Sequence, residues 1–307
     1  VHILDFRLGG EMRPTILIEG LAVYLTGGHY KPEVLIPRAA ALLPPEDRQD
    51  DLGLGWYLPL KPLSDDFYNA QHEIGYIQAG ALVQYMVDTW GWDAYSAFYR
   101  DIHSVANGTQ SDALDAALKT HFDLSLDELE ASFLEMLRDQ EITQETVDDV
   151  RLTVDLLDTM RRYQQTLDPS AYFLTAWLPN GPLMREKGIV ADLVRRPNEI
   201  ENIAIETLLV VAHEAINTGD YAFVEDALTA VNAVLDAIDT GQPDPFDANA
   251  LAKAHYEITF FLHETGYQVE QITIVNNTAQ VKASRGWSEL TQFEFAANNG
   301  GWLLVSQ

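Results

Sequence analysis

Glu19 is the residue with the clearest potential for chemistry, because it is a lone carboxylate inside the apolar run at positions 16–25. A helix through this run places it beside mostly apolar neighbours, namely Thr15, Ile16, Ala22 and Val23. A carboxylate in such surroundings is costly unless it is paired with a cation or bound to a metal ion. We therefore expect Glu19 to have a partner with a functional role.

If Glu19 binds a metal ion, His2 is the candidate for a second ligand of that ion. Catalytic zinc is held by three protein ligands, drawn from His, Asp, Glu and Cys, and water takes the fourth position of the tetrahedron. In one common arrangement two His lie four residues apart on a helix, and a distant carboxylate supplies the third ligand. His2 and Glu19 provide one ligand of each type.

Two sequence segments contain these residues: Val-His at positions 1–2 and Ile-Glu-Gly-Leu-Ala at positions 18–22. Both segments resemble the gluzincin zinc peptidases of the peptidase MA-like group. In that family a His-Glu-x-x-His helix is followed by a helix reading Glu-Gly-x-Ala, whose Glu is the third zinc ligand. The resemblance implies that His2 and Glu19 are ligands of Zn²⁺. It also implies that the first His and the general-base Glu precede Val1, so that the chain begins inside the motif.

A third segment, Gly-Tyr-Ile-Gln-Ala-Gly-Ala-Leu-Val-Gln-Tyr at positions 75–85, resembles the gluzincin segment in which a Tyr precedes a small-residue helix. That Tyr hydrogen-bonds the oxyanion of the tetrahedral intermediate, so the resemblance implies a catalytic role for Tyr76. Four other aromatic residues are alternatives for this position: Tyr24, Tyr30, Phe67 and Tyr68.

The same resemblance extends over positions 90–92, 111–118 and 124–133, which follow the order of the helical tail of peptidase MA-like domains. It therefore covers about residues 1–139. Three further His-Glu pairs lack a second His at the required spacing, and we interpret them as surface or helix-end residues: His72-Glu73, His213-Glu214 and His263-Glu264. His29 follows a Gly-Gly helix stop and is interpreted as a surface loop histidine, with a place in the cleft as the alternative.

Composition limits the remaining possibilities. A chain of 307 residues with 47% hydrophobic residues predicts two globular domains. A net charge of −28 argues against nucleic acid or anionic lipid as a partner. The absence of Cys excludes disulfides, thiol catalysis and Cys-ligated zinc. No apolar run is long enough to span a membrane. The compartment stays open, since we expect any export signal or anchor to precede Val1.

The pattern predicts an α + (α+β) chain. Residues 1–141 form a mainly helical, gluzincin-like part, in which a Pro-rich stretch at 32–62 is an irregular loop or short helix over the cleft. Residues 142–307 form an α+β domain with helices at 199–217 and 220–239. From about residue 253 the period becomes two, and turn residues separate four runs that predict an antiparallel meander. This second half resembles the nuclear-transport-factor-2-like domains.

Together these features predict zinc-dependent hydrolysis of peptide bonds in the intact protein, with a peptide or protein as the substrate. The chain as given, without the first His and the general base, is expected to be inactive. The alternative is a binding or scaffold protein with a degenerate peptidase fold. The residues that precede Val1 would discriminate between the two.

Overall fold

The computed structural model describes residues 8–167, 199–285, 290–298 and 300–307. The chain divides into two compact units between Val154 and Asp155. The described part of the first unit is helical, and that of the second contains helices followed by an antiparallel sheet. The predicted order of a helical part followed by an α+β part is therefore confirmed.

The first unit is built from helices, and the hydrophobic period and the capping residues predict the longer ones. Its helices are α1 (Thr15–Thr26), α2 (Leu35–Ala40), α3 (Leu60–Asp65), α4 (His72–Trp90), α5 (Trp92–Arg100), α6 (Gln110–Phe122), α7 (Leu126–Arg138) and the beginning of α8 (Gln144–Leu167). The ends are set by local chemistry. Thr109 and Ser125 form capping boxes at the starts of α6 and α7, and Gly27 ends α1 in the left-handed conformation at φ 75°.

Helices α1 and α4 approach each other so closely that glycine is required at the contact. A Cβ atom on Gly20 would lie 2.4 Å from the carbonyl oxygen of Ala79, and one on Gly80 would lie 2.5 Å from Cγ1 of Val23. The apolar side of α1 is fully buried at Ile16, Leu17 and Leu21. The small residues therefore fix the distance between the two helices, and with it the position of the side chain next to Gly20.

The Pro-rich stretch at 32–62 contains short helices, one of the two alternatives that the sequence left open. It contains α2, a 3₁₀ turn at Pro45–Asp47 and the start of α3, and residues 39–42 are fully buried within the core of the first unit. Prolines at the first positions of the short helices remove no hydrogen bond that the helix needs, which explains why the stretch can be helical at all.

The boundary between the units lies inside α8, further along the chain than the predicted division after residue 141. Val147, Val150 and Val154 are buried in the core of the first unit. The polar turn before Gln144 marks the start of a helix rather than the end of a domain. Apolar residues in the first half of that helix assign it to the first unit.

The second unit begins with the rest of α8 and continues with α9 (Ile200–Thr218), α10 (Tyr221–Asp239) and α11 (Ala250–Glu264). The prediction that the period becomes two from about residue 253 is wrong as far as residue 264. Asn249 caps α11 by accepting from two backbone N–H groups, and its buried residues Ala254, Ile258 and Leu262 recur every fourth position. The helical period was present in the sequence but was obscured by the aromatic residues between these positions.

The sheet is the predicted meander. Strands β1 (Gln268–Val275), β2 (Thr278–Ser284), β3 (Thr291–Asn298) and β4 (Gly301–Ser306) are hydrogen-bonded in that order. Ile272 pairs with Val281, and Val281 pairs with Phe293, so these three residues form one buried row. A bulge between Val269 and Gln271 explains why the first strand departs from strict alternation. No helix in the described ranges is long and apolar enough to cross a membrane.

Candidate active site

Glu19 is buried on α1, as the sequence predicts. It is only 7% exposed, and its Oε1 accepts a hydrogen bond of 2.8 Å from the hydroxyl of Tyr68. Tyr68 lies in the 3₁₀ turn Phe67–Asn69, immediately before α4, and its ring is largely exposed. The carboxylate therefore lies at the edge of the α1–α4 contact, where one oxygen is held by a phenol that solvent also reaches.

Tyr76, on the first part of α4, directs its hydroxyl to the same carboxylate. Burial, followed by the negative charge of Glu19, the neighbouring Tyr68 and a hydrogen bond with Glu19, raises the pKa of Tyr76 above its usual range. Burial and the hydrogen bond to Glu19 likewise raise the pKa of Tyr68 to about 12. Both phenols therefore keep their protons at neutral pH and act as hydrogen-bond donors.

The structure thus brings together two of the three predicted site residues, Glu19 and Tyr76. His2 lies outside the described residues. Of the alternatives to Tyr76, Tyr68 contacts Glu19 directly, and Phe67 packs edge-on against Tyr76 with ring centroids 5.2 Å apart. Tyr30 is buried beside Glu73, which helps to raise its pKa after the effect of burial. Two tyrosines, rather than one, therefore converge on the carboxylate.

His29 and His72 form an aromatic group with Tyr76 that the sequence did not predict. The His29 ring stacks on Tyr76 with centroids 4.0 Å apart and an angle of 18° between the planes. His72 lies 4.7 Å from Tyr76 and 4.9 Å from His29, tilted against both. The interpretation of His29 as a surface histidine is wrong, since its side chain is only 12% exposed. The turn at Gly27 returns the chain towards the start of α4, which encloses the ring.

Glu73 lies in the first turn of α4, a helix-end position as interpreted from the sequence, but it is fully buried rather than at the surface. Its Oε2 lies 2.7 Å from His29 Nδ1, and its Oε1 accepts from Arg38 Nη2 at 3.3 Å. The pair His213-Glu214 is only partly exposed at its His, whereas His263 and Glu264 are exposed as expected. A carboxylate in the first turn of a helix is favoured by the helix dipole, and here the turn itself is buried.

Glu73 belongs to a buried ion cluster, which we define as Lys31, Glu33, Arg38, Glu73 and Asp149. Arg38 is only 3% exposed, and its Nε lies 2.6 Å from Glu33 Oε2. Asp149, on α8, pairs with both Arg38 and Lys31. Burial raises the pKa of Glu33, and burial together with the charge of Arg38 lowers the pKa of Lys31 to about 8. Single-residue reasoning could not find this cluster, since its members come from three separate parts of the sequence, at 31–38, 73 and 149.

Of the two predicted metal ligands, only Glu19 lies within the described residues. Among residues 8–167, 199–285, 290–298 and 300–307, no three His, Asp or Glu side chains are grouped to hold a metal ion. Glu19 itself fits the role of a zinc ligand, because it is a buried carboxylate oxygen donor with a second group to orient it. The arrangement as described offers a carboxylate that can bind a cation and two phenols that can donate to a developing negative charge.

No protein-family model, no curated protein and no solved structure matches this chain.

Proposed function

We propose that this chain is part of a gluzincin-like zinc peptidase, in which Glu19 is a zinc ligand and Tyr76 stabilises the oxyanion. The observation that carries the proposal is the convergence of Tyr76 and Tyr68 on the buried Glu19 carboxylate across the α1–α4 contact. A buried carboxylate whose only role was to support the fold would be stabilised most by pairing with a cation. Among the described contacts, Glu19 is paired with neutral phenols, which orient it without neutralising it.

In this proposal His2 and Glu19 would hold the zinc ion together with the first His of a His-Glu-x-x-His motif. Zinc, when bound, would supply a water with a pKa of about 7 for the general-base Glu of that motif. Tyr68 holds Glu19 Oε1 through its hydrogen bond and so sets the direction of the carboxylate. A hydrogen-bonded second residue of this kind is what orients metal ligands in general.

Tyr76 acts in the proposal as a hydrogen-bond donor to the oxygen that gains negative charge when water adds to a peptide carbonyl. Its raised pKa keeps the phenol protonated, and its single O–H, which hydrogen-bonds Glu19 in the structure, would turn to that oxygen. A donor placed at that oxygen lowers the barrier most when it is fixed before the reaction starts. The contacts with His29 and Phe67 limit the movement of the ring.

The decisive experiment measures zinc and activity in the chain extended upstream through the first His and Glu. Elemental analysis should find about one zinc per chain, and a mixture of unstructured peptides should be cleaved in a chelator-sensitive way. Glu19→Gln should lose the zinc and the activity. Its matched control is Glu130→Gln, because Glu130 also accepts from a tyrosine, at 3.0 Å from Tyr57 Oη, on a different helix.

Each result of this experiment has a meaning. Loss of zinc in Glu19→Gln and retention in Glu130→Gln supports the proposed ligand. Equal zinc content in both variants would remove Glu19 from the site. Neither zinc nor cleavage in the extended chain would reject the enzyme and favour the binding or scaffold protein with a degenerate peptidase fold.

A further inference from the structure

His29 links the candidate active site to the buried ion cluster, and carboxylates of that cluster hold both its backbone and its ring. Its backbone N–H donates to Glu33 Oε1 at 2.9 Å, and its Nδ1 lies 2.7 Å from Glu73 Oε2. A carboxylate paired with a guanidinium acts as the acceptor, so we assign Nδ1 of His29 as the N–H donor. The other oxygen of Glu73 accepts from Arg38. A rotation of the His29 ring would therefore leave a fully buried carboxylate without one of its donors.

The fixed ring lies flat against Tyr76, a side chain of α4 that reaches Glu19. His29 and Tyr76 are stacked at a centroid distance of 4.0 Å, whereas Phe67 meets Tyr76 edge-on. Tyr76 has two rotatable bonds between its backbone and its ring, and the stacking restricts both. The orientation of the phenol towards Glu19 therefore depends on a neighbour that is itself held by Glu73.

We propose that His29, held by Glu73, which pairs in turn with Arg38, is a positioning residue that fixes Tyr76 for its role at the oxyanion. The inference rests on the proposed function, because it assigns His29 an effect on catalysis through Tyr76. It also gives a reason for the buried ion cluster. Buried ion pairs are weak contributors to stability compared with apolar residues of the same size, so their presence next to a site points to a role in its geometry.

The test variant must remove the ring of His29 without disturbing Glu73. His29→Asn does this, because the Asn side-chain nitrogen can occupy the place of Nδ1 and still donate to the carboxylate. In the chain extended upstream, His29→Asn should lower kcat by roughly 10-fold to 10²-fold, as expected for a displaced catalytic group, with KM and zinc content unchanged. The matched control is His103→Asn, since His103 also contacts a carboxylate through Nδ1 but is 60% exposed in a loop.

A double-mutant cycle separates positioning from a general effect on the fold. If His29 acts through Tyr76, then adding His29→Asn to Tyr76→Phe should change kcat by less than about twofold, because the hydroxyl that it positions is already absent. Independent effects, in which the two losses multiply, would overturn the proposal. So would full activity of His29→Asn alone.

A second measurement does not depend on catalysis. With 3-fluorotyrosine at position 76, the fluorine resonance should broaden or split in His29→Asn, because the ring adopts more than one orientation, and should stay unchanged in His103→Asn. An unchanged resonance in both would overturn the positioning role even if the protein is a peptidase. A changed resonance in a chain that neither binds zinc nor cleaves peptides would support the positioning of Tyr76 and reject the proposed function instead.

Discussion

The hydroxyl of Tyr76 is the one atom on which the proposed chemistry and the described geometry depend together. Tyr76→Phe in the extended chain should lower kcat by roughly 10²-fold, as the loss of one oxyanion donor does, and leave the zinc content unchanged. Tyr85→Phe is the control, because Tyr85 lies on the same helix and packs against Trp90 and Phe133, away from Glu19. Steady-state kinetics measures kcat for both variants. Equal losses of kcat in Tyr76→Phe and Tyr85→Phe would contradict the role of Tyr76.

A second residue-scale prediction concerns His255, which is fully buried on α11. Thr207 Oγ1 donates to the Ala204 carbonyl, so at 2.8 Å from His255 Nδ1 it must accept, and Nδ1 carries the proton. Nε2 has no hydrogen-bond partner among the described residues. Protonation there would bury a charge, and burial accordingly lowers the pKa of His255 from 6.5 to about 3.

The sign of the effect follows from which state holds the proton. As pH falls from about 6.5 towards about 3, the unfolded chain protonates His255 and the folded chain does not. The free energy of unfolding of the second unit should therefore fall with pH, by up to about 1.4 kcal/mol per pH unit from this group. His255→Asn should remove that part of the slope, and His263→Gln, at an exposed position, should not. Urea unfolding at a series of pH values, with the second unit followed by hydrogen exchange, measures these slopes. The prediction is contradicted if both variants show the same pH dependence of unfolding as the unsubstituted protein.

Single residues could be predicted from the sequence only where their immediate neighbours define the environment. Glu19 was identified as buried because apolar residues surround it on the same helix. Glu73 was missed because its burial comes from α2 and α8, through Arg38 and Asp149, which lie far from it in the sequence. The position of His29 depended in the same way on contacts that no local pattern contains.

At the scale of elements, the contact between α1 and α4 is the feature on which the site depends. Gly20→Ala should destabilise the first unit by about 1–3 kcal/mol, because the added methyl meets the Ala79 carbonyl and must separate the helices. Gly75→Ala is the matched control on α4, since its nearest atoms would be 3.7 Å from the new Cβ. It should be neutral or stabilise by up to about 1 kcal/mol, as the helix propensities predict.

Thermal unfolding with zinc-free protein measures this contact without reference to catalysis. Equal melting temperatures for the two glycine variants would show that the helices can separate at no cost.

The elements themselves were predicted well where caps and periods agree, as in α6 and α7. They were predicted poorly in α2, whose six residues make fewer than two helical turns, and in α11, where aromatic residues between the buried positions obscure the period.

For the whole molecule, the net charge of −28 is the dominant electrostatic property. Raising salt from about 0.02 M to about 0.5 M should raise the melting temperature by several degrees, because screening weakens the repulsion between surface carboxylates. Sodium and potassium chloride should act equally. A decrease in melting temperature would mean that exposed ion pairs stabilise the protein by more than the repulsion destabilises it. The pairs of Arg162 with Asp236 and Asp239 are examples.

The partnership of Asp149 with Arg38 and Lys31 has a consequence for how the protein is made. A ribosome adds about 5–20 residues per second, so Asp149 is added roughly 4–15 seconds after Glu73. During that interval the nascent helices already contain the cations of the cluster but not the carboxylate from α8 that pairs with them. The first unit can therefore complete its fold only after synthesis has passed the start of α8. Until then, the surroundings of His29 and Tyr76 are assembled without one of the charges that will hold them.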